Sequence, residues 1–356
     1  MQEAAGSGNQ PHSALDSMIS ARDFVHLPYT PDLTEAGIHY ARRVLPRLHS
    51  PAGRGLYDTV RRAVAATALQ LAFRRHLSAE GISYAVQAAV PFSDPDRYDL
   101  DLAGRRCELK SFLISRPLEI DALAADPGLA LRAPALVPAD RHAAEEVLGD
   151  GLYLFALVSG LVAGGRAGTR TATLPGGRTF WIHGMPPSWM RPQTWAPLGP
   201  LALKSDSSGT VSLELSGQDG SGTQLDLVVG LPPAQRVEVD ASFHALSHLH
   251  AHARPDGRIG IHSPSRGETH LIGPGDWQDA WLDGKDICLL GWITLEQFRM
   301  RARLIPEGRR VFQFSKTKTR NLAVDVASLK PVHQLLERVR DGTVQRGRHQ
   351  SEHRSG

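Results

Sequence analysis

The sequence predicts an α/β protein: a core in which a mixed sheet is flanked by helices, joined to a β-rich inserted or second domain. Three observations carry that prediction. A stretch of helical periodicity is followed by alternating, strand-like segments and then by an apolar run bounded by glycines. From residue 164 to residue 286, short alternating segments are separated by Gly, Ser, Thr and Pro, with no pattern of helix length. The chain then returns to strand and helix signals. At 356 residues it is long enough for one large domain or two, and a hydrophobic content of 41% is enough for a sizeable core.

In "GLYDTVRRAVAATALQLAFRRHLSAEG", Leu56, Val60, Val64, Ala68 and Leu71 fall at helical spacing, arginines occupy the other face, and Gly81 supplies a stop. "ISYAVQAAV" alternates like a strand and ends at the turn-forming "PFSDPD". "YDLDLA" and "RRCELKSFLI" flank Ala103-Gly104, which predicts a tight hairpin. "PADRHAAEEVL" reads as a short helix with Asp140 placed to cap it, and "GLYLFALVSGLV" as a buried strand. Near the end, "ICLLGWITLEQFRMRARLI" predicts a strand and then a helix capped by Thr294, with Leu295, Phe298 and Ala302 at helical spacing. "RRVFQFSKTKTRNLAVDVASLKPVHQLLERV" adds strands and a closing helix. The division that follows is a disordered start over 1–25, a core over 26–163, a β-rich insert over 164–286, a C-terminal segment packing on the core over 287–340, and a disordered basic tail over 341–356.

The formal charge is only +3, yet the sequence pI is 9.0, a mild bias toward an acidic partner such as nucleic acid. The two cysteines, Cys107 and Cys288, stand in no CxxC or Cys/His ligand spacing. That argues against a disulfide scaffold and a cysteine zinc site, and suits a reducing cytoplasm. The first residues lack the basic start and long apolar run of a signal peptide, and no run approaches the roughly 18 apolar residues of a membrane span. The expectation is a cytoplasmic protein with no membrane partner.

The hairpin "RYDLDLAGRRCELKSFLIS" carries the chemistry. Alternation places Glu108 and Lys110 on one face and Cys107, Leu109 and Ser111 on the other. Charges on a strand bound for a core need a partner, a metal ion or water. Asp99, followed by Glu108-Leu109-Lys110 on two strands behind an amphipathic helix, resembles the PD-(D/E)XK nuclease superfamily with its restriction-endonuclease-like core. The resemblance covers the helix near 57–77 and the strands through about 160, including the order of elements. "LLGWITLEQFRMRARLIPEGR" resembles, with less specificity, a trailing segment of bacterial nuclease-like proteins.

The resemblance implies a Mg²⁺-dependent deoxyribonuclease, with Mn²⁺ as substitute. Asp99 and Glu108 would hold the metal, Lys110 would act on water or phosphate, and the Leu109 carbonyl would be a further ligand. The residue types suit the chemistry: carboxylates hold a hard divalent cation, and phosphodiester hydrolysis needs a nucleophilic water and relief of developing charge. Asp96 lies in the loop before the strand, and Asp101 would share a strand face with Asp99, so Asp101 stands second. Where many relatives place a helical Glu, this chain has Gln70, which supplies no charge and leaves the metal site with fewer acids. DNA is the implied partner, with a homodimer or the proteins of a defence complex alongside. Restriction or anti-phage defence is the implied setting. The rival readings are a noncatalytic DNA-binding subunit and a repair or recombination nuclease.

Further features have a functional and a plain reading. Lys316, Lys318 and Arg320 in "FSKTKTRN" would share a strand face and contact phosphates, or mark an aggregation-resistant edge strand. In "HALSHLHAH" the i, i+4 pair His244 and His248, with His250 and His252 close behind, would bind zinc on a helix, but the β-rich context favours a surface cluster. Trp181, Trp189 and Trp195 would pack the insert or stack on bases.

Overall fold

The computed structural model describes residues 19–44, 56–86, 100–146, 151–162, 181–192 and 196–342. The chain opens with β1 (Val25–Leu27), α1 (Pro31–Val44) and α2 (Leu56–Ala79), followed by β2 (Ala85–Val86), β3 (Leu100–Leu102) and β4 (Arg105–Ile114). Then come α3 (Pro117–Ala125), β5 (Pro134–Pro138), α4 (Ala139–Glu146) and β6 (Gly151–Val162). The insert holds β7 (Trp181–Gly184), β8 (Gly199–Ser205), β9 (Val211–Gln218), β10 (Gln224–Leu231), β11 (Arg236–Phe243), β12 (Ala245–Ala251), β13 (Ile259–Ser263), β14 (Glu268–Ile272) and β15 (Gln278–Asp279). The chain closes with β16 (Leu282–Thr294), α5 (Leu295–Arg301), β17 (Arg303–Ile305), β18 (Asn321–Asp325) and α6 (Val332–Arg340).

The central sheet has the order β1-β16-β6-β4-β3-β2. It is mixed, because β4 and β6 run parallel while the other pairs are antiparallel. A parallel pair needs a crossover, and α3, β5 and α4 supply it. The β3–β4 hairpin turns on Ala103 and Gly104, with φ of 52° and 83°. Positive φ at both central positions matches the right-handed twist of the flanking strands. Asp101 fixes the turn by accepting a hydrogen bond from the Gly104 N–H at 2.6 Å.

One face of this sheet is covered by α1, α2 and α6, the other by α5 and a small sheet of order β17-β18-β5. The buried stripe of α2 runs through Val60, Val64, Ala68, Leu69, Ala72, Phe73 and Leu77, while Leu71 sits at its margin. Small residues let α1 approach closely: a Cβ on Gly37 would lie 2.8 Å from the Val64 carbonyl oxygen. β6 is buried on both faces, as a continuous apolar run between two layers requires. Thr294 caps α5, its hydroxyl accepting from Gln297 N–H at 3.2 Å.

The insert forms two sheets, β10-β9-β12-β7-β15 and β11-β8-β13-β14, with a separate core between them. Its only described helices are the single turn Pro187–Met190 and a 3-10 turn at Pro274–Asp276. It joins the core sheet directly, because Ala280, Trp281 and Leu282 are all buried in the α1/α2 layer.

Four expectations change. Order begins before residue 25, since Ile19 and Phe24 are buried against the sheet. The core sheet resumes at Leu282 and not at 287, because β16 pairs with β6 over its whole length. Asp140 lies in the first turn of α4, where its charge favours the helix dipole, and not at the cap position. "VFQFSKTKTR" is not a strand: Val311 and Phe314 close a tight turn on each other, and residues 315–320 follow as bends. Among the described residues no helix is long and apolar enough to cross a membrane.

Candidate functional site

Alternation along β4 sends Cys107 and Leu109 into the α1/α2 layer and Phe112 and Ile114 into the opposite one. Glu108 and Lys110 share the second face, in register with Tyr153 and Phe155 of β6. Arg106, two residues earlier on that face, ion-pairs through Nη2 with Glu108 Oε1. Lys110 Nζ lies 3.6 Å from Glu108 Oε2 and 2.8 Å from Glu145 Oε1. It also sits 4.9 Å from the centre of the Tyr153 ring, a cation–π contact.

Glu145 and His142, one helical turn apart on α4, complete the network. The Tyr153 hydroxyl donates to Glu145 Oε2 at 2.8 Å, so its oxygen is left to accept, and His142 Nδ1–H is the donor at 2.9 Å. Burial, together with the charges of Glu145 and Glu108, holds the Tyr153 phenol well above its ordinary range and keeps it protonated. Arg106, Lys110, Glu108 and Glu145 thus meet in a nearly closed site, where Lys110 and Glu108 keep 14% and 11% of their side-chain surface. The sequence pointed to Glu108 and Lys110 and missed His142, Glu145 and Tyr153. The one local signal was a His and a Glu three residues apart on a short helix, sharing a face.

Both carboxylates already answer cations, and among the described residues no group of three His, Cys, Asp or Glu side chains could hold a metal ion. The described side chains therefore do not by themselves make a magnesium site. Asp99, the other expected metal ligand, lies outside the described residues, as does Asp96. Asp101 serves the hairpin turn. Leu109 packs toward α2, and its backbone stands opposite Leu154. Gln70 belongs to α2, on the far face of the sheet from Glu108, and its Oε1 is buried without a hydrogen-bond partner among the described residues.

The expected phosphate-contacting cations lie on the near side. Lys316, Lys318 and Arg320 are exposed, alternating with buried Thr317 and half-buried Thr319, so they reach solvent together without a strand. Thr317 pins the loop: its N–H donates to Arg309 O at 2.9 Å and its hydroxyl to Pro306 O at 2.8 Å. Arg309 and Arg310 are exposed in the same loop. Phe314 anchors it edge-on to Phe112 at 6.2 Å, on the face of β4 that carries Lys110.

The expected surface cluster of histidines divides: His248 and His250 are buried, His244 is half-buried and His252 is exposed. Every residue of β12 is buried, including His248 and His250. His248 Nδ1 is 2.9 Å from Ser247 Oγ, and burial pushes its pKa down to about 3. His250 is also held at about 3, by burial and by Arg42, although Glu214 Oε2 lies 3.1 Å away. The carboxylate of Glu214 is engaged by Arg42, which leaves little of its charge to raise the histidine. Trp181 and Trp189 are buried in the insert core and offer no stacking surface, and Trp195 lies outside the described residues. Compared with family models, curated proteins and solved structures, the chain matches none.

Proposed function

We propose that the protein hydrolyses DNA phosphodiester bonds as a Mg²⁺-dependent nuclease of the PD-(D/E)XK type, with Asp99 and Glu108 toward the metal and Lys110 toward water or phosphate. The observation that carries this reading is the meeting of two features on one face of β4: the Glu108–Lys110 pair, and a loop presenting five exposed cations anchored beside it through Phe314. Cations spaced along a loop hold a phosphate backbone without reading its sequence. The order helix, antiparallel strands, helix, parallel strand supports the restriction-endonuclease-like core that the motif implies. Defence against foreign DNA is the setting this reading suggests.

A second reading, a DNA-binding subunit without catalysis, is favoured by a specific observation. Glu108 is already engaged by Arg106 and Lys110.

The test is cleavage of plasmid and phage DNA by the wild type and by Lys110→Arg, with Mg²⁺, Mn²⁺ or EDTA, beside DNA affinity for the triple variant Lys316→Ala/Lys318→Ala/Arg320→Ala. Lys110→Arg keeps the positive charge between the two glutamates and so preserves the fold. The nuclease reading expects metal-dependent cleavage that falls at least about 100-fold in this variant, the scale of lost proton-transfer or positioning catalysis. It also expects the triple variant to bind more weakly, with a salt slope shallower by up to about 0.9 per lost contact. Binding without cleavage under either metal would leave the subunit reading. Neither binding nor cleavage would remove both. Preference for branched over intact duplex would mark a repair nuclease.

A further inference from the structure

On the same side of the central sheet, toward its β1 edge, three side chains from two strands meet at a cavity of about 330 Å³. His26 on β1 pairs directly with Cys288 on β16, and Asp286 lies two residues before Cys288 on the same strand. His26 Nδ1 is 2.8 Å from Asp286 Oδ2, and His26 Nε2 is 4.0 Å from Cys288 Sγ. The carboxylate thus takes the Nδ1–H hydrogen bond and leaves the Nε2 lone pair toward the thiol. This is the order of contacts by which an acid orients a histidine as base for a nucleophile.

The surroundings are those of a ligand site. Ile120, Leu123, Ala124 and Pro127 from α3 and the turn after it, with Leu157 of β6, form an apolar wall, while Ser159 and Lys285 add polar groups beside Asp286. A cavity of this size is at the small end of those that hold small molecules. The register of β16 against β6 shifts between Gly284 and Asp286, a bulge of the kind that re-aims side chains next to functional sites. His26 is half exposed, so the base can exchange its proton with water, whereas Cys288 is nearly buried and reached through the cavity.

We propose that Cys288, His26 and Asp286 form an acyl-accepting thiol site for small apolar acyl groups delivered as activated esters or thioesters. The site is separate from the nuclease reading and does not rest on it. In the step, Sγ attacks the acyl carbonyl carbon while its proton passes to His26 Nε2. The bond from that carbon to the leaving oxygen or sulfur breaks, and the leaving group departs with the proton from the imidazolium. A thioester remains on Cys288, with no change of oxidation state. Burial, with a contribution from Asp286, pushes the Cys288 thiol up to about 12, so the resting group is a thiol and its attack depends on His26.

The experiment uses the full chain with p-nitrophenyl butyrate, following p-nitrophenolate release and mapping the adduct by peptide mass spectrometry. The expected result is one acyl group per chain, on Cys288 and not on the fully buried Cys107. Acylation should slow at least about 100-fold in His26→Gln, an exposed position whose substitution leaves the fold intact. Leu123→Trp, which fills the cavity, should lose butyryl labelling while its urea unfolding midpoint stays that of the wild type. An adduct on lysines or on Cys107, or an unchanged rate in His26→Gln, would overturn the site. Equal butyryl labelling in Leu123→Trp would overturn the assigned acyl class. Site mapping on the wild type and the His26 comparison decide the matter even where Cys288→Ser fails to fold.

Discussion

The buried polar clusters around Lys110 and around His248 meet the cost of burial in opposite ways. On β4 the charges are kept and each is answered: Arg106 and Lys110 by Glu108, Lys110 again by Glu145, and Glu145 also by the Tyr153 hydroxyl. In the insert His248 and His250 are kept neutral, with pKa values pushed down to about 3. Paired charges depend on their partners, whereas neutral histidines depend on pH. The two clusters should therefore fail under different insults.

Acid should expose the contrast most. The unfolded chain protonates His248 and His250 near 6.5, but the folded chain resists until about 3, so the unfolded state binds more protons throughout that window. Their stabilising contribution is complete above 6.5 and is lost as pH falls toward 3, at about 1.4 kcal/mol per pH unit for each histidine. Urea unfolding at a series of pH values should show this slope, and His248→Gln should flatten it by about one proton's worth. A variant as steep as the wild type would place the titration elsewhere.

Lys110→Ala is the next largest insult and should act at neutral pH. It removes the cation that lies between Glu108 and Glu145, at a cost of about 3 kcal/mol. Adding Glu145→Gln should recover part of that loss, because the double variant buries one fewer uncompensated charge. A double variant no better than the single would show that Glu145 is not destabilised by losing its lysine.

Tyr153→Phe should have the smallest effect, about 1–2 kcal/mol, from leaving Glu145 Oε2 and His142 Nδ1–H without their shared hydroxyl. The same variant should leave the acid slope of the insert unchanged, since the two clusters share no residue. Denaturation at pH 7 and pH 5 would check both statements.

Much of the scaffold was legible because its signals are local. The stripe Val60, Val64, Ala68 is a helix face, Ala103-Gly104 can be little else than a hairpin turn, and Thr294 before Leu295 is a cap whose acceptor needs no distant partner. Glu108 and Lys110 on one face followed from alternation alone. What surrounds them did not, because Glu145 lies 35 residues away on a crossover helix, and His26 reaches Cys288 from 262 residues away. The His248 strand was misjudged for a related reason. Polar side chains alternating with apolar ones signal a solvated face only when nothing covers it, and here Arg42 of α1 closes over that side of the insert. "FSKTKTRN" shows that alternating exposure can arise without a strand, when one buried threonine pins an irregular loop.

The place of β16 also sets an order of events. Eleven of its thirteen residues pair with β6 on one side and three with β1 on the other, so β1 stays apart from the rest of the core sheet until this strand is present. During synthesis the first residues would wait for the whole insert to emerge, with the apolar edge of β6 uncovered in the meantime. Contacts of such long sequence separation slow folding and leave strand edges open to other chains. The pairing of β15 with β7 inside the insert brings its two connections to the core together at the point where β16 sets out along β6.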